Sequence, residues 1–401
     1  MTSTSVDVAI IGGGLMGCFS AYFLRQRKKS VAIIEKGQAG AAASSVNFGN
    51  LRLQGRHPTE FPLSLRAHAV WEDVARLTGE DCGFVPCGHV YLGFAADDLP
   101  KIERAARDAR AAGLDVEVVD GPEARLRWPV LSGVVKGASW SKRDAIADPA
   151  LASQAVARLA MRAGAQMLDR TKVVAVEPVA SGFAVTTDTG HVVTCGQVVN
   201  AAGAWAGELS ARFGELVPMF AAGPPLFTIL PEHGYAGPSL HAVDGTLLLR
   251  PGRGGEAVAG FFPRVKADLV TGKAVVPMDR VERGLARLAE VAPGLGRLTQ
   301  GRVWSGVEGY LPDMLPVIGW SGTTPGLLHA FGFSGHGYQL APGVGAVVAD
   351  LLVDGTSATP IDAFTIQRFA GGVVPDEKLW SEFDPELVAK FRQMQAGSNH
   401  A

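Results

Sequence analysis

The residues of this chain best placed to do chemistry are three glycines, one acid and a few arginines. Gly12, Gly14 and Gly17 stand at the spacing G-x-G-x-x-G, and Glu35 follows where a dinucleotide fingerprint has its acid. Each type has a physical reason. Gly12 permits a sharp turn, Gly14 lets backbone N–H groups approach a pyrophosphate, and Gly17 lets a helix lie close on a strand. Glu35 offers acceptors to ribose hydroxyls, and its charge disfavours a 2′-phosphate. A carboxylate ligand elsewhere would need a cation, preferably an arginine fork donating two parallel hydrogen bonds. Arg52 is the first choice, with Arg56, Arg250 and Arg302 next and Tyr310 and Tyr338 as hydroxyl partners.

These residues need elements to hold them. Residues 6–11 form an apolar run suited to a buried parallel strand. Leu15, Phe19, Tyr22 and Phe23 recur at helical spacing, and residues 31–34 form a second apolar strand ending in Glu35. The order is strand, tight turn, helix, strand. Residues 40–45 are a small-residue loop, and the following stretch, with Phe48, Leu51 and Leu53 among Asn50, Arg52 and Arg56, reads as a pocket lining. Leu63, Ala67, Val70, Trp71, Val74 and Leu77 mark one face of a single amphipathic helix. A strand at 88–94, a helix over 99–112 and a strand at 116–119 come next, and Asp148-Pro149 opens another helix. Strands are expected at 173–176, 183–187 and 192–195, with Asp188-Thr189-Gly190 as a hairpin turn.

Residues 198–205 repeat the opening logic, an apolar strand running into small residues. Residues 217–304 read as an α+β insertion, and the style of the N-terminus resumes at 313–319 and 327–333. Gly332-Phe333-Ser334-Gly335-His336-Gly337-Tyr338-Gln339 is a second glycine-rich entry into a helix, over 341–352. Two such entries at opposite ends of the chain suggest one ligand held from both sides. The tail beyond Gly371 reads as polar and peripheral.

Bulk numbers exclude several classes. With 401 residues, 47% hydrophobic and 19% charged, the chain suits two or so folded domains. A formal charge of -2 gives no argument for nucleic acid or anionic lipid. No apolar run reaches membrane-span length, which leaves a cytoplasmic location as the expectation. Cys18, Cys82, Cys87 and Cys195 are scattered, so no metal site is expected. His57, His89 and His241 read as solvated or satisfied, and His336 as structural or cofactor-facing rather than an acid–base group.

Together, residues 8–17 with Glu35, Asp148-Pro149, residues 199–205, Pro312-Asp313 with residues 316–319, and residues 332–339 with Pro342 give the chain its family likeness. It resembles the FAD-dependent D-amino-acid oxidase superfamily, in its glycine oxidase, sarcosine oxidase and amino-acid dehydrogenase branch. The resemblance covers residues 6–355 and rests on the order of motifs more than on any one.

It implies an α/β FAD-binding Rossmann-like domain, discontinuous over 1–84, 145–216 and 305–370. An inserted α+β substrate domain built on an antiparallel sheet would take 85–144 and 217–304, and 371–401 would be the tail. Gly12, Gly14, Leu15, Met16 and Gly17 would then bracket the pyrophosphate, with Glu35 and Lys36 at the ribose and Ser44 and Ser45 near the phosphates and flavin. Val173 would meet the adenine, and Ala202, Gly203 and Trp205 would lie along the cofactor. Gly335, His336, Gly337, Tyr338 and Gln339 would edge the flavin.

The implied reaction is oxidation of the C–N bond of an amino acid or a sarcosine-, iminodiacid- or opine-like secondary amine. Hydride would pass to a noncovalent FAD, and the imine would hydrolyse afterwards. Relatives place a carboxylate-binding arginine near Glu308 and a lysine near Gln339, so both of those anchors are absent here. The electron acceptor stays open between O2 and a protein or quinone. The rival expectations are a dehydrogenase subunit of a hetero-oligomer, a subunit keeping FAD as a structural element, and a nicotinamide enzyme.

Overall fold

The first strand, Ser3–Ile11, is flanked on both sides by parallel strands, so residues from Val8 onward meet no water on either face. That is why it reads as an unbroken apolar run rather than an alternating one. In this computed structural model, which describes residues 3–398, it sits central in an eight-stranded sheet. The sheet runs Val317–Trp320, Leu327–Phe331, Val192–Asn200, Ser3–Ile11, Val31–Ile34 and Gln166–Leu168, with the hairpin of Gly182–Thr187 and Val173–Val179 added through Val192–Asn200. Ile11 is in register with Ile34 on one side and Asn200 on the other, so three parallel strands end together.

One face of this sheet is covered by the helices Leu15–Gln26, Pro149–Arg162 and Gly337–Asp354 in one continuous core. The first and last of these touch backbone to backbone. A Cβ on Gly345 would lie 2.6 Å from the carbonyl carbon of Phe19. Asp148 caps the middle helix, its side chain accepting from the Ala150 and Leu151 N–H groups, with Pro149 in the first turn.

A second eight-stranded sheet is assembled from two separated stretches of chain. Its order is Leu298–Trp304, Leu226–Pro231, Ala257–Gly260, Leu248–Pro251, Ser239–Ala242, His89–Gly93, Gly137–Ser141 and Val116–Asp120. All neighbours are antiparallel except Ser239–Ala242 with His89–Gly93, the seam where the two stretches join. The helix Met278–Val291 buries Val281, Leu288 and Val291 against it. Lys273–Ala274, Val265–Asp268, Phe220–Gly223 and Glu308–Tyr310 form a smaller, four-stranded sheet.

Three expectations need correction. The helix expected through Leu63 and Leu77 is two helices, Phe61–Trp71 and Val74–Thr78; the chain breaks at Glu72-Asp73, whose carboxylates are taken by Arg143 and Arg76. Residues 192–200 form one strand, because Gly196 fits in mid-strand with no side chain to place. The tail is not peripheral. Leu379, Phe383, Val388 and Phe391 are buried with Ala222, Tyr310 and Met314, an apolar spacing hidden among the tail's charges.

Gly345→Val tests the helix contact. Overpacking a backbone-to-backbone approach should cost about 1–3 kcal/mol or more, seen as a lowered Tm in thermal denaturation; an unchanged Tm would show that the two helices separate freely.

Candidate active site

A cavity of about 720 Å³ begins where the three parallel strands end, as ligand crevices in such sheets do, and runs to the underside of the second sheet. Gly12, Gly14, Leu15, Met16, Glu35, Lys36, Ser44, Val173, Ala202, Gly203 and Trp205 line its near part. Arg52, Arg56, Gly335, His336, Gly337 and Tyr338 line the far part, roofed by Tyr91, His241 and Leu248.

The near part is built from backbone. Gly12 has φ +113°, and a Cβ there would stand 2.2 Å from the Ala201 carbonyl oxygen. A Cβ on Gly17 would stand 2.0 Å from the Gly12 oxygen, so Gly17 packs the helix onto the turn and lies off the cavity. Gly14 differs from both, since its Cβ would meet only Ser44 Oγ, at 3.1 Å. Ser44 Oγ accepts from the Leu15 N–H at 2.9 Å, fixing the small-residue loop at the helix start, where partial positive charge favours an anion. Glu35 accepts from the Gly13 and Gly37 N–H groups, each at 2.7 Å, so its carboxylate is held at the cavity wall. The Lys36 ammonium lies over the Trp205 ring, and burial lowers it to about 8. Ser45 turns away, its hydroxyl donating to the Ala41 carbonyl.

The far part is built from charges. Arg52 is buried, lines the cavity and donates to the Gln54 carbonyl; among the described residues no carboxylate pairs with it. Arg56 braces it, donating from Nε and Nη2 to the Arg52 carbonyl at 3.0 and 2.9 Å and from Nη2 to Gln339. Gln339 itself lies behind the wall, bonded to Ser64, because the helix turns its side chain inward. Glu60 meets His336 Nδ1 at 3.0 Å. Burial alone would raise Glu60, but His336, Arg56 and Lys378 hold it down at about 2. Burial lowers the imidazole to about 4 against the opposing pull of Glu60, leaving it neutral near pH 7.

The other candidates scatter. Arg250 is buried but off the cavity, donating to the Phe48 and Pro251 carbonyls, so it braces the loop. Arg302 is exposed and lies over Trp304, since its strand edges the sheet. Tyr310 is sealed in the wall, its hydroxyl donating to Glu308. Tyr338 remains a lining residue, and its buried hydroxyl has no partner among the described residues. Glu308 lines the cavity and is raised by burial.

Reading the sequence missed Arg264, Lys378 and Glu382 and dismissed His241, and all four line the far part. Arg264 pairs with Glu382 and lies 4.0 Å over the Phe262 ring. Its one sequence signal is Phe262-Pro263-Arg264 directly after a strand. Lys378 and Glu382 gave no signal, being brought in by the tail.

Residues 7–351 match the family model described as FAD dependent oxidoreductase. The chain belongs to that family. It is 31% identical over 388 residues to a glycine oxidase of Geobacillus kaustophilus, covering 92% of this chain and 98% of the relative. It is 29% identical to a monomeric sarcosine oxidase of Streptomyces avermitilis over 92% and 99% of the two chains. The solved L-proline dehydrogenase of P. horikoshii superposes with a TM-score of 0.86 at 25% identity, covering 93% and 100%.

The protein is therefore an FAD-dependent oxidoreductase, and its fold is the FAD-binding α/β domain with a sheet-based second domain that the resemblance implies. Its residues fit the cofactor: the cavity is long, opens at a glycine turn where a side chain would intrude, and holds an acid and a helix start at one end. Among the described residues no helix is long and apolar enough to cross a membrane.

Two outcomes follow. Gly14→Val should leave the fold intact by far-UV circular dichroism yet cut the FAD-to-protein ratio several-fold, because the added side chain enters the cavity rather than the core; full FAD occupancy would contradict this placement. For His336, the unfolded imidazole takes a proton near 6.5 and the folded one near 4, so stability falls as pH drops between them. Urea denaturation should show wild type losing on the order of 2 kcal/mol more than His336→Gln over that window; parallel slopes would mean other buried histidines carry the dependence.

Proposed function

We propose that this enzyme oxidises the C–N bond of a carboxylate-bearing amine, an amino acid or a secondary amine of the sarcosine, iminodiacid or opine kind, to an imine that water then hydrolyses. The observation that carries this is Arg52, a buried guanidinium facing the cavity with no carboxylate of the described residues within ion-pair distance. A buried cation is costly unless an anion or hydrogen-bond acceptors meet it, and a substrate carboxylate supplies that charge. The likeness to glycine and sarcosine oxidases supports an amine beside the carboxylate.

FAD, when bound noncovalently, supplies the two-electron acceptor. The chain's own residues orient and exclude. Gly12, Gly14, Glu35, Lys36, Ser44 and Val173 would hold the sugar-phosphate end, and Gly335, His336, Gly337 and Tyr338 the redox end, under the roof of Tyr91 and His241. The N-terminus of Gly337–Asp354 favours negative charge at that end. Arg56 fixes the backbone of Arg52 and so the angle of its fork. His336, neutral and tied to Glu60, positions the loop rather than moving a proton.

In the same terms, residues 1–84, 145–216 and 305–370 carry the cofactor, residues 85–144 and 217–304 form the substrate domain, and the tail joins the latter's wall. A dehydrogenase passing electrons to a partner protein or quinone is the second reading, favoured by the likeness to L-proline dehydrogenase; stopped-flow reoxidation of the reduced enzyme by O2 separates the two.

Arg52→Ala should lower kcat/KM for carboxylate-bearing amines about a hundredfold, mainly through KM. The measurement is steady-state kinetics on the best substrate found by anaerobic flavin bleaching. An unchanged kcat/KM would remove Arg52 from the site.

A further inference from the structure

Beyond Arg52, Arg56 and Arg264, the far part of the cavity receives a further cation from an element distant in sequence. Lys378 lines the cavity at the start of the short helix Lys378–Ser381. That segment is firmly seated. The Asp376 N–H donates to the Pro312 carbonyl at 2.9 Å, the Arg264 N–H to the Glu382 carbonyl at 2.8 Å, and Leu379 and Phe383 are buried against Tyr310 and Ala222. The Lys378 side chain is therefore delivered to the cavity by a docked element.

The nearby acids are already committed. Glu382 pairs with Arg264, Glu308 accepts from the Tyr310 hydroxyl, and Glu60 meets His336. Among the described residues no carboxylate lies within ion-pair distance of the Lys378 ammonium. Arg52 and Lys378 line the same cavity, with His241 and His336 in its wall. Arg264 has Glu382, and Arg56 donates from Nε and Nη2 to the Arg52 carbonyl and Gln339 with its buried Nη1 left without a partner among the described residues, so one substrate carboxylate at Arg52 and Arg56 leaves Lys378 over.

We propose that Lys378 is a specificity-determining residue that binds a second carboxylate, so that the preferred substrate is a dicarboxylic amine, with one carboxylate on Arg52, the amine between, and the other on Lys378. This rests on the carboxylate-amine reading and narrows it. A point charge on a flexible stem suits the distal anion, whose position varies with chain length, while the rigid fork of Arg52 suits the carboxylate next to the reacting carbon.

The test uses the FAD-loaded enzyme and two unreactive thioethers, thiodiglycolate with two carboxylates and (methylthio)acetate with one, titrated by perturbation of the flavin absorbance. Wild type should bind thiodiglycolate about tenfold more tightly or better. Lys378→Met should abolish that preference while leaving (methylthio)acetate within about twofold, and Lys378→Arg should retain it. Equal flavin content and Tm establish that the variants are folded. A wild type without preference, a Lys378→Met variant that keeps it, or equal weakening of both ligands overturns the assignment alone. If neither thioether binds and no carboxylate-bearing amine bleaches the flavin anaerobically, the carboxylate-amine reading falls and Lys378 with it.

Discussion

The structure depends on how closely the backbone at Gly12 passes the backbone at Ala201. The first strand and Val192–Asn200 are paired along their length, and both must turn at the same edge of the sheet. With a side chain at Gly12 the Ala201 carbonyl would be 2.2 Å away, and with one at Gly17 the helix would be lifted from the turn by the Gly12 carbonyl. These two contacts set the depth at which the helix start sits relative to the strand ends. That depth decides whether its N–H groups reach a phosphate. Glu35 is drawn into the same turn, because one of its oxygens accepts from Gly13. The shape of the cavity at this end is thus a consequence of sheet packing.

The opposite end follows a different rule. There the cavity wall contains Arg52, Arg56, Arg264 and Lys378 with Glu60, Glu308 and Glu382, most of them buried, and buried charges are tolerated when paired and hydrogen-bonded. Arg264 meets Glu382, and His336 meets Glu60, across long separations in sequence. Such pairs tie the tail to the start of Val265–Asp268 and the helix Gly337–Asp354 to the stretch that follows Arg52 and Arg56. The charges left over after this pairing face the cavity.

This difference explains what was legible in the sequence. Turns held by backbone contact or by positive φ require glycine, so Gly12, Gly17 and Gly335 betray their places by residue type alone, and buried parallel strands betray theirs by apolar runs. The first strand, the hairpin at Asp188 and the helix capped by Asp148 were readable for that reason. A guanidinium carries no such mark. Arg52, Arg250 and Arg302 look alike in sequence, yet one faces the cavity, one braces a loop and one is exposed, because the register of a strand or the path of a loop decides each case. Arg264 and Lys378 were hidden for the same reason, the first behind a proline and the second in a stretch whose apolar residues are diluted by charge.

The two rules together separate the end of the cavity fixed by backbone contact from the end fixed by charge pairing. A side chain at Gly12 or Gly17 would displace the sheet edge and the cavity mouth at once, whereas one at Gly14 would enter the cavity and leave the sheet in place. At the other end a charge can be exchanged, provided its partner changes with it, without touching the sheet. The Val307-Glu308-Gly309-Tyr310 stretch follows the second rule. It places an acid and a tyrosine in the wall, balanced by Arg264 and sealed by a tail that folds back onto them. The far end of the cavity is therefore set by the pairing of buried charges, as the near end is set by backbone contact.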